Sequence, residues 1–569
     1  MKKRDIRQCV LWVGGIALLA LVSSRYFFRI DLTAEKRYTL SHETRRILRN
    51  LDAPLHLNVY LEGDLPPGFR KLRTGIREML DEFKTYAGHR LICHFFDPAG
   101  DVKPDERDQF YAELNETGLR SVTVNRKNRD GSLSQQQLFP GAIITYKDRM
   151  SAVNLLNNNR VQSSDVVLNA SLESLEYELI RTIYALSSDT IGKVAFITGH
   201  GEPGRAETYD LGLEYANFYD VERKTINGRL DVLDSYKAVI ITRPTTPFDE
   251  KDKYVIDRYI MRGGKVLWLL DGIDAHTDSL YASGFTFALA SQLNLEDQLF
   301  TYGVRVNPQL VQDIVNNPIV VTLSDGTSQP TPAPWLYHPL VQPSPHSMIT
   351  RRLNPIWLRY AGHIDTVGTD SGIRKTVLLQ TSPFARISAT PCMIRLDEVE
   401  KPIERQHFNR SLIVGVLLEG QFPSLFRSRS VRHLFPEIDE KPLQKGKHTK
   451  MIVVSDGDIA VNDVRQTPQG AVPAQPLGHD RYSRQTFGNK DFLVNALNYL
   501  TDDAGLMKLR NREFQLRMLD KQKLNDGLTR WQLINVLLPI LLWAGGGMIC
   551  GIWRKRKYGR PRRPVMVKQ

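Results

Sequence analysis

Apolar positions along the chain change their spacing at about residue 190, and that change divides it before any motif is considered. Upstream, short alternating stretches are interleaved with amphipathic ones. Asp31–Leu51 reads as a connector and a helix with Ser41 as N-cap candidate, followed by a strand at His56–Leu61. Leu72, Ile76, Met79, Leu80 and Phe83 recur at helical spacing and predict a helix over about Phe69–Tyr86. A strand at Leu91–Phe96, a helix at about Asp105–Thr117, strands at Ser121–Asn125, Ala142–Tyr146 and Met150–Val153, and a long helix at Ser171–Ser187 complete the region. The order βαβαβββα predicts a thioredoxin-like α/β domain over residues 31–190, without a CxxC pair.

Downstream, strands become near-continuous apolar runs separated by helices, the pattern of a parallel sheet buried on both faces. Lys193–Thr198, Val221–Ile226, Ala238–Thr242 and Lys265–Leu270 are such strands, with helices at Tyr209–Tyr219 and Asp249–Arg262 between them. Strand patterns resume at Lys375–Thr381, Leu412–Leu418 and Lys450–Val454, and a helix at Asn489–Leu500 closes the region. The expected class is α/β, with a flavodoxin-like parallel-sheet domain over 191–317 and 356–503. Between its parts lies an irregular excursion over 318–355 holding eight prolines. A charged helix at Leu506–Leu524, within a juxtamembrane segment 504–530, follows.

Two apolar runs flank this body. Leu533–Ile552 is uncharged, bracketed by Trp531 and Trp553, and followed by a basic tail over 554–569 with eight cations and no acid. Its 20 residues match the ~20 that a bilayer requires. Val10–Ser24 with Tyr26–Phe28 forms a shorter run, read as an uncleaved anchor within residues 1–30. A cleaved signal peptide is the competing reading, weakened by the poor cleavage site that Leu21 and Val22 make. Positive charge beside both runs places both termini in the cytoplasm and residues 30–530 on the other side. The net charge of +13 therefore reports topology. It does not point to nucleic acid, since the body outside the tails is nearly neutral. Of four cysteines, Cys9 and Cys550 lie in or beside the apolar runs, leaving Cys93 and Cys392 as one pair that could bridge. No Cys/His spacing suits zinc, and no cofactor is expected.

Gly199, His200, Gly201 and Glu202 follow a strand's carboxyl end, where ligands bind in α/β sheets. The glycines would let backbone N–H groups approach an anion or a sugar hydroxyl, with His200 and Glu202 hydrogen-bonding it. Arg243 and Asp271 end neighbouring strands and could complete a polar pocket. A tight turn and helix capping explain the same residues without a ligand. Asp456 and Asp458, near Asp463, are weak candidates for a divalent cation, against a loop-and-cap reading. No GxSxG, P-loop or HExxH occurs, so ATP hydrolysis by a P-loop must come from a partner.

Several segments resemble a known family: RIDLTAEKRYTLS (Arg29–Ser41), VYLEGDLPPGFRKL (Val59–Leu72), LFPGAIITYKD (Leu138–Asp148), ITGHGEPG (Ile197–Gly204) and GNKDFLVNALNYLTDD (Gly488–Asp503). Together they are similar to GldG, the gliding-motility-associated ABC-transporter auxiliary or substrate-binding-like proteins of Bacteroidetes. The resemblance implies an inner-membrane, periplasm-facing, non-enzymatic subunit. It also implies a permease subunit and a cytoplasmic ATPase as partners, contact with membrane lipids, and a saccharide or other small molecule as ligand. The alternative is a periplasmic hydrolase or amidotransferase-like enzyme with His200, Glu202 and Asp271 as acid–base groups. That reading lacks a nucleophile.

Overall fold

The computed structural model describes residues 39–558, apart from 128–132, 157–163, 189–191, 322–329, 369–371, 437–441, 469 and 512–520, together with positions 12, 14 and 15. The predicted anchor at Val10–Ser24 thus lies, but for isolated positions, outside the described residues. Two compact units divide the chain, Met1–Glu513 and Phe514–Gln569.

The first unit begins with α1 (His42–Arg49), whose N-cap is Ser41, as expected; its side chain accepts the Thr44 N–H at 3.0 Å. Then come β1 (Leu55–Val59), α2 (Pro67–Ala87), β2 (Leu91–Phe95), α3 (Arg107–Glu116), β3 (Val122–Lys127), β4 (Leu133–Leu138), β5 (Gly141–Tyr146), β6 (Arg149–Asn154) and α4 (Ser164–Ser187). Four strands form a sheet in the order β2-β1-β5-β6, parallel between β1 and β2 and antiparallel elsewhere. Leu72, Ile76, Leu80 and Phe83 of α2 pack with Leu175, Leu179 and Ile183 of α4 in one core. β4 is a strand that the pattern did not announce, and it pairs with β3 as a separate hairpin.

A second, larger sheet follows. Its strands are β7 (Lys193–Thr198), β8 (Asp220–Thr225), β9 (Ala238–Thr242), β10 (Lys265–Leu269), β11 (Leu340–Pro343), β12 (Ile356–Trp357), β13 (Ile373–Gln380), β14 (Ile413–Pro423) and β15 (Lys445–Val454). Their order is β12-β11-β13-β14-β15-β10-β9-β7-β8. The run from β15 to β8 is parallel. Pairings from β15 outward to β12 are antiparallel. This corrects the expectation of a parallel sheet: half of it is antiparallel, because β14 and β15 are long neighbouring strands that pair directly.

Alternation along the buried strands feeds two cores. Ala195, Ile197, Val239, Ile241, Val266 and Trp268 face one side, against α6 (Glu250–Met261) with Val255, Ile256, Tyr259 and Ile260. Val194, Phe196, Ala238, Ile240, Leu267 and Leu269 face the other. There they meet Leu211 and Tyr215 of α5 (Tyr209–Ala216) and Phe492, Leu493, Ala496 and Leu497 of α7 (Asn489–Thr501). Burying each large apolar side chain contributes ~1.5–3 kcal/mol, so the sheet is held from both faces.

The proline-rich stretch 318–355 is not one irregular excursion. It supplies β11 and the hairpin Ile319–Val321 with Thr331–Ala333, and it buries Trp335, Tyr337 and Ile349. Proline suits such edge and short strands because it needs no ladder N–H. The helix expected over Leu506–Leu524 is also corrected. Leu506–Asn511 is a 3₁₀ turn whose Leu506, Met507 and Leu509 return to the core of the first sheet, and 512–520 lie outside the described residues.

The second unit holds α8 (Lys521–Tyr558), broken at Gly527, where φ and ψ are not helical. Within it, Arg530–Arg556 is 27 residues long with mean hydropathy 2.0, long and apolar enough to cross a membrane. Among the described residues it is the one such helix.

Candidate functional site

The loops at the carboxyl edge of β7, β9, β10 and β15 carry the predicted residues in two ionic groups. No hydrogen bond or ion pair among the described residues joins the groups directly.

The first is built on β7. Gly199 and Gly201 turn the chain with φ of 120° and 75°, in the left-handed region that glycine adopts without a steric penalty. A Cβ at Gly201 would also lie 2.0 Å from Thr245 Oγ1. The His200 carbonyl accepts the Thr245 and Thr246 N–H groups at 2.8 and 3.0 Å, and its own N–H donates to Glu202 at 2.7 Å. The imidazole stacks on Phe248 with ring centroids 3.6 Å apart. Its Nε2 lies 3.1 Å from Asp252 and its Nδ1 3.4 Å from Glu202. Burial would pull the His200 pKa down, but hydrogen bonds and charge from Asp252 and Glu202 outweigh it and raise it to about 9. Asp252 is fixed in turn, accepting the Gly228 N–H at 2.6 Å. An imidazolium thus ties together the loops after β7 and β8 and the first turn of α6. The His200, Glu202 and Asp252 side chains are 8%, 1% and 7% exposed, so the group is closed to solvent.

The second group is built on β9, β10 and β15. Arg243, at φ 42°, pairs with Asp458 and approaches Glu207 at 3.9 Å. Asp271 accepts the Gly457 N–H at 2.5 Å. A Cβ at Gly457 would meet Arg243 Cα at 2.7 Å, so this close approach of two loops requires glycine there. Asp456 accepts N–H groups from Arg359 at 2.6 Å and Ile459 at 3.2 Å. Arg359 forks onto Asp463 at 2.8 and 3.2 Å, and its guanidinium lies 4.4 Å from the centre of the Trp357 ring.

Burial pushes the Asp271 carboxyl up to about 7, with the Asp458 charge adding to it and the Gly457 N–H opposing it. Burial and the charges of Asp271 and Asp458 likewise hold Asp456 well above the carboxylate range. Asp271 could therefore exchange a proton near neutrality. The adjacent Ser455 hydroxyl is fully buried and donates to the Gly362 carbonyl at 2.8 Å, so it is not presented as a nucleophile. Among the described residues, no three His, Cys, Asp or Glu side chains are grouped to hold a metal ion. Asp456 and Asp458 instead accept from N–H donors. Cys93 and Cys392 are free thiols.

Asp252, Phe248 and Arg359 were absent from the sequence reading. Asp252 lies on the first turn of a helix, where acids are favoured by the helix dipole, and pairing across 52 positions leaves no local signal.

Residues 192–496 match the sequence family described as "ABC-type uncharacterized transport system", and residues 34–145 match a domain of unknown function. An "Uncharacterized protein" of Borreliella burgdorferi is 20% identical over 316 residues, which are 55% of this chain and 57% of that protein. Among solved structures, the mmIFT52 N-terminal domain aligns at 13% identity and a TM-score of 0.30, covering 55% of this chain and 97% of that one. The exo-beta-1,4-mannosidase Op5Man5 from Opitutaceae bacterium strain TAV5 aligns at 11% identity and a TM-score of 0.20, covering 68% and 44%. The first family match takes in the large sheet from β7 to α7, more than half of the molecule, and the chain belongs to that ABC-type transport system family as an auxiliary component.

Proposed function

We propose that the chain is a non-catalytic, periplasm-facing subunit of an inner-membrane ABC transporter linked to gliding motility, acting as a scaffold or coupling element between permease and ligand. The family match over residues 192–496 carries this reading. The membrane-length helix Arg530–Arg556 supports attachment to the membrane. The basic residues that follow it support a cytoplasmic C-terminus. An N-terminal anchor at Val10–Ser24 and two lobes over 31–190 and 191–503 belong to the same proposal. The order β2-β1-β5-β6 supports a thioredoxin-like first lobe, and the parallel half of the large sheet supports a flavodoxin-like second one. The closed, internally paired group around His200 favours coupling over capture at that edge.

Purification of the tagged full-length protein from its native membrane in mild detergent tests the proposal. A permease and an ATPase should co-purify in fixed ratio. Repeated recovery of the folded protein without either would overturn it.

A further inference from the structure

A cavity of about 90 Å³ lies between α4 and the amino ends of β7 and β9, opposite the edge that carries His200 and Asp271. Gly192 and Lys237, which line it, immediately precede those strands. Tyr177, Phe218, Tyr219 and the thioether of Met507 from the 3₁₀ turn make the apolar part of its wall, and Arg181, Lys237, Asn498 and Asp502 belong to the polar part.

Two buried donors on this wall have no acceptor. Asn498 is 7% exposed; its Oδ1 accepts the Tyr219 hydroxyl at 3.1 Å, while its Nδ2 has no partner. Arg181 lies over the Phe218 ring at 3.6 Å, and its buried Nη2 is also unpartnered. Unpaired buried N–H groups are uncommon in folded proteins and call for an explanation. The acids that line the cavity do not answer them. Asp502 accepts the Leu506 and Met507 N–H groups at 2.9 and 2.8 Å, and Asp503 pairs with Lys237 at 3.2 Å.

We propose that this cavity binds a small organic carboxylate. Its oxygens accept from Asn498 Nδ2 and Arg181 Nη2, and its apolar body lies among Tyr177, Phe218 and Met507. A guanidinium beside an amide suits a carboxylate better than a neutral carbonyl. A phosphate dianion fits less well than a monoanion, because Asp502 and Asp503 stand nearby and part of the wall is apolar.

The test is a calorimetric titration of the full-length protein in nonionic detergent with benzoate and, in parallel, benzyl alcohol. Benzoate should bind saturably and at least tenfold more tightly than the alcohol. Asn498→Asp keeps the shape but turns the free donor into an acceptor, and should weaken benzoate at least tenfold. No saturable benzoate binding would mean that the cavity holds water only. Equal binding of the two probes would mean apolar packing only. Either result, or a folded Asn498→Asp variant that binds benzoate normally, overturns the proposal. Should that variant fail to fold, the two-probe comparison on the unaltered protein decides alone.

Discussion

Asp271 shows how one side chain can serve the fold at a cost that depends on pH. Its carboxyl accepts the Gly457 N–H while burial holds its pKa near 7, above the ~3.9 of an unfolded chain. A folded-state pKa raised in this way favours folding below about pH 4, and that contribution disappears as the pH rises through about 7. Asn at the same position keeps the acceptor and cannot ionise. Asp271→Asn should therefore be more stable than the unaltered protein at pH 8, by up to about 4 kcal/mol, and equal to it near pH 4. Melting curves of both proteins across that range measure the difference; parallel curves would contradict it. The positions of His200, Arg243 and Asp271 after strands could be read from the order of apolar runs. Their division into two ionic groups could not, since it depends on Asp252 and Asp458, which are distant in sequence. Spacing arguments place a residue on an edge but do not choose its partner.

At the scale of elements, uninterrupted burial was the readable quantity. β7 and β9 begin and end where the apolar runs Lys193–Thr198 and Ala238–Thr242 do, because strands covered on both faces have no polar alternation to blur their ends. β4 (LSQQQL) has apolar side chains only at its ends, and its hairpin is made by pairing with β3. Hydrophobic pattern alone carries no trace of it. Strand order is a further level, set by loop lengths and by direct pairing of β14 with β15. The charged stretch Leu506–Leu524 predicts a helix, but Leu506–Asn511 forms a 3₁₀ turn because its apolar residues serve a core distant in sequence. Leu509 is 5% exposed there. Leu509→Asp should cost on the order of 2–4 kcal/mol, from lost burial and a charge in an apolar site. It should also open the turn to faster trypsin cleavage at Lys508 and Arg510 than in the unaltered protein. Equal resistance in both would show that the turn contributes little.

Across the whole molecule, the proposed topology makes a prediction of its own. Ser428 is exposed on the body of the first unit. With Cys introduced there, a maleimide that cannot cross the inner membrane should label intact cells, whereas labelling only after lysis would place the body in the cytoplasm. The return of Leu506, Met507 and Leu509 to the core formed by α2 and α4 has a mechanical meaning. Tension applied along the chain from α8 reaches this clasp before it reaches α7 or the nine-stranded sheet. The first lobe therefore takes the strain first, although nearly the whole polypeptide separates it in sequence from the point of pull. A pull on α8 would thus be felt in the part of the fold that lies at the far end of the primary structure.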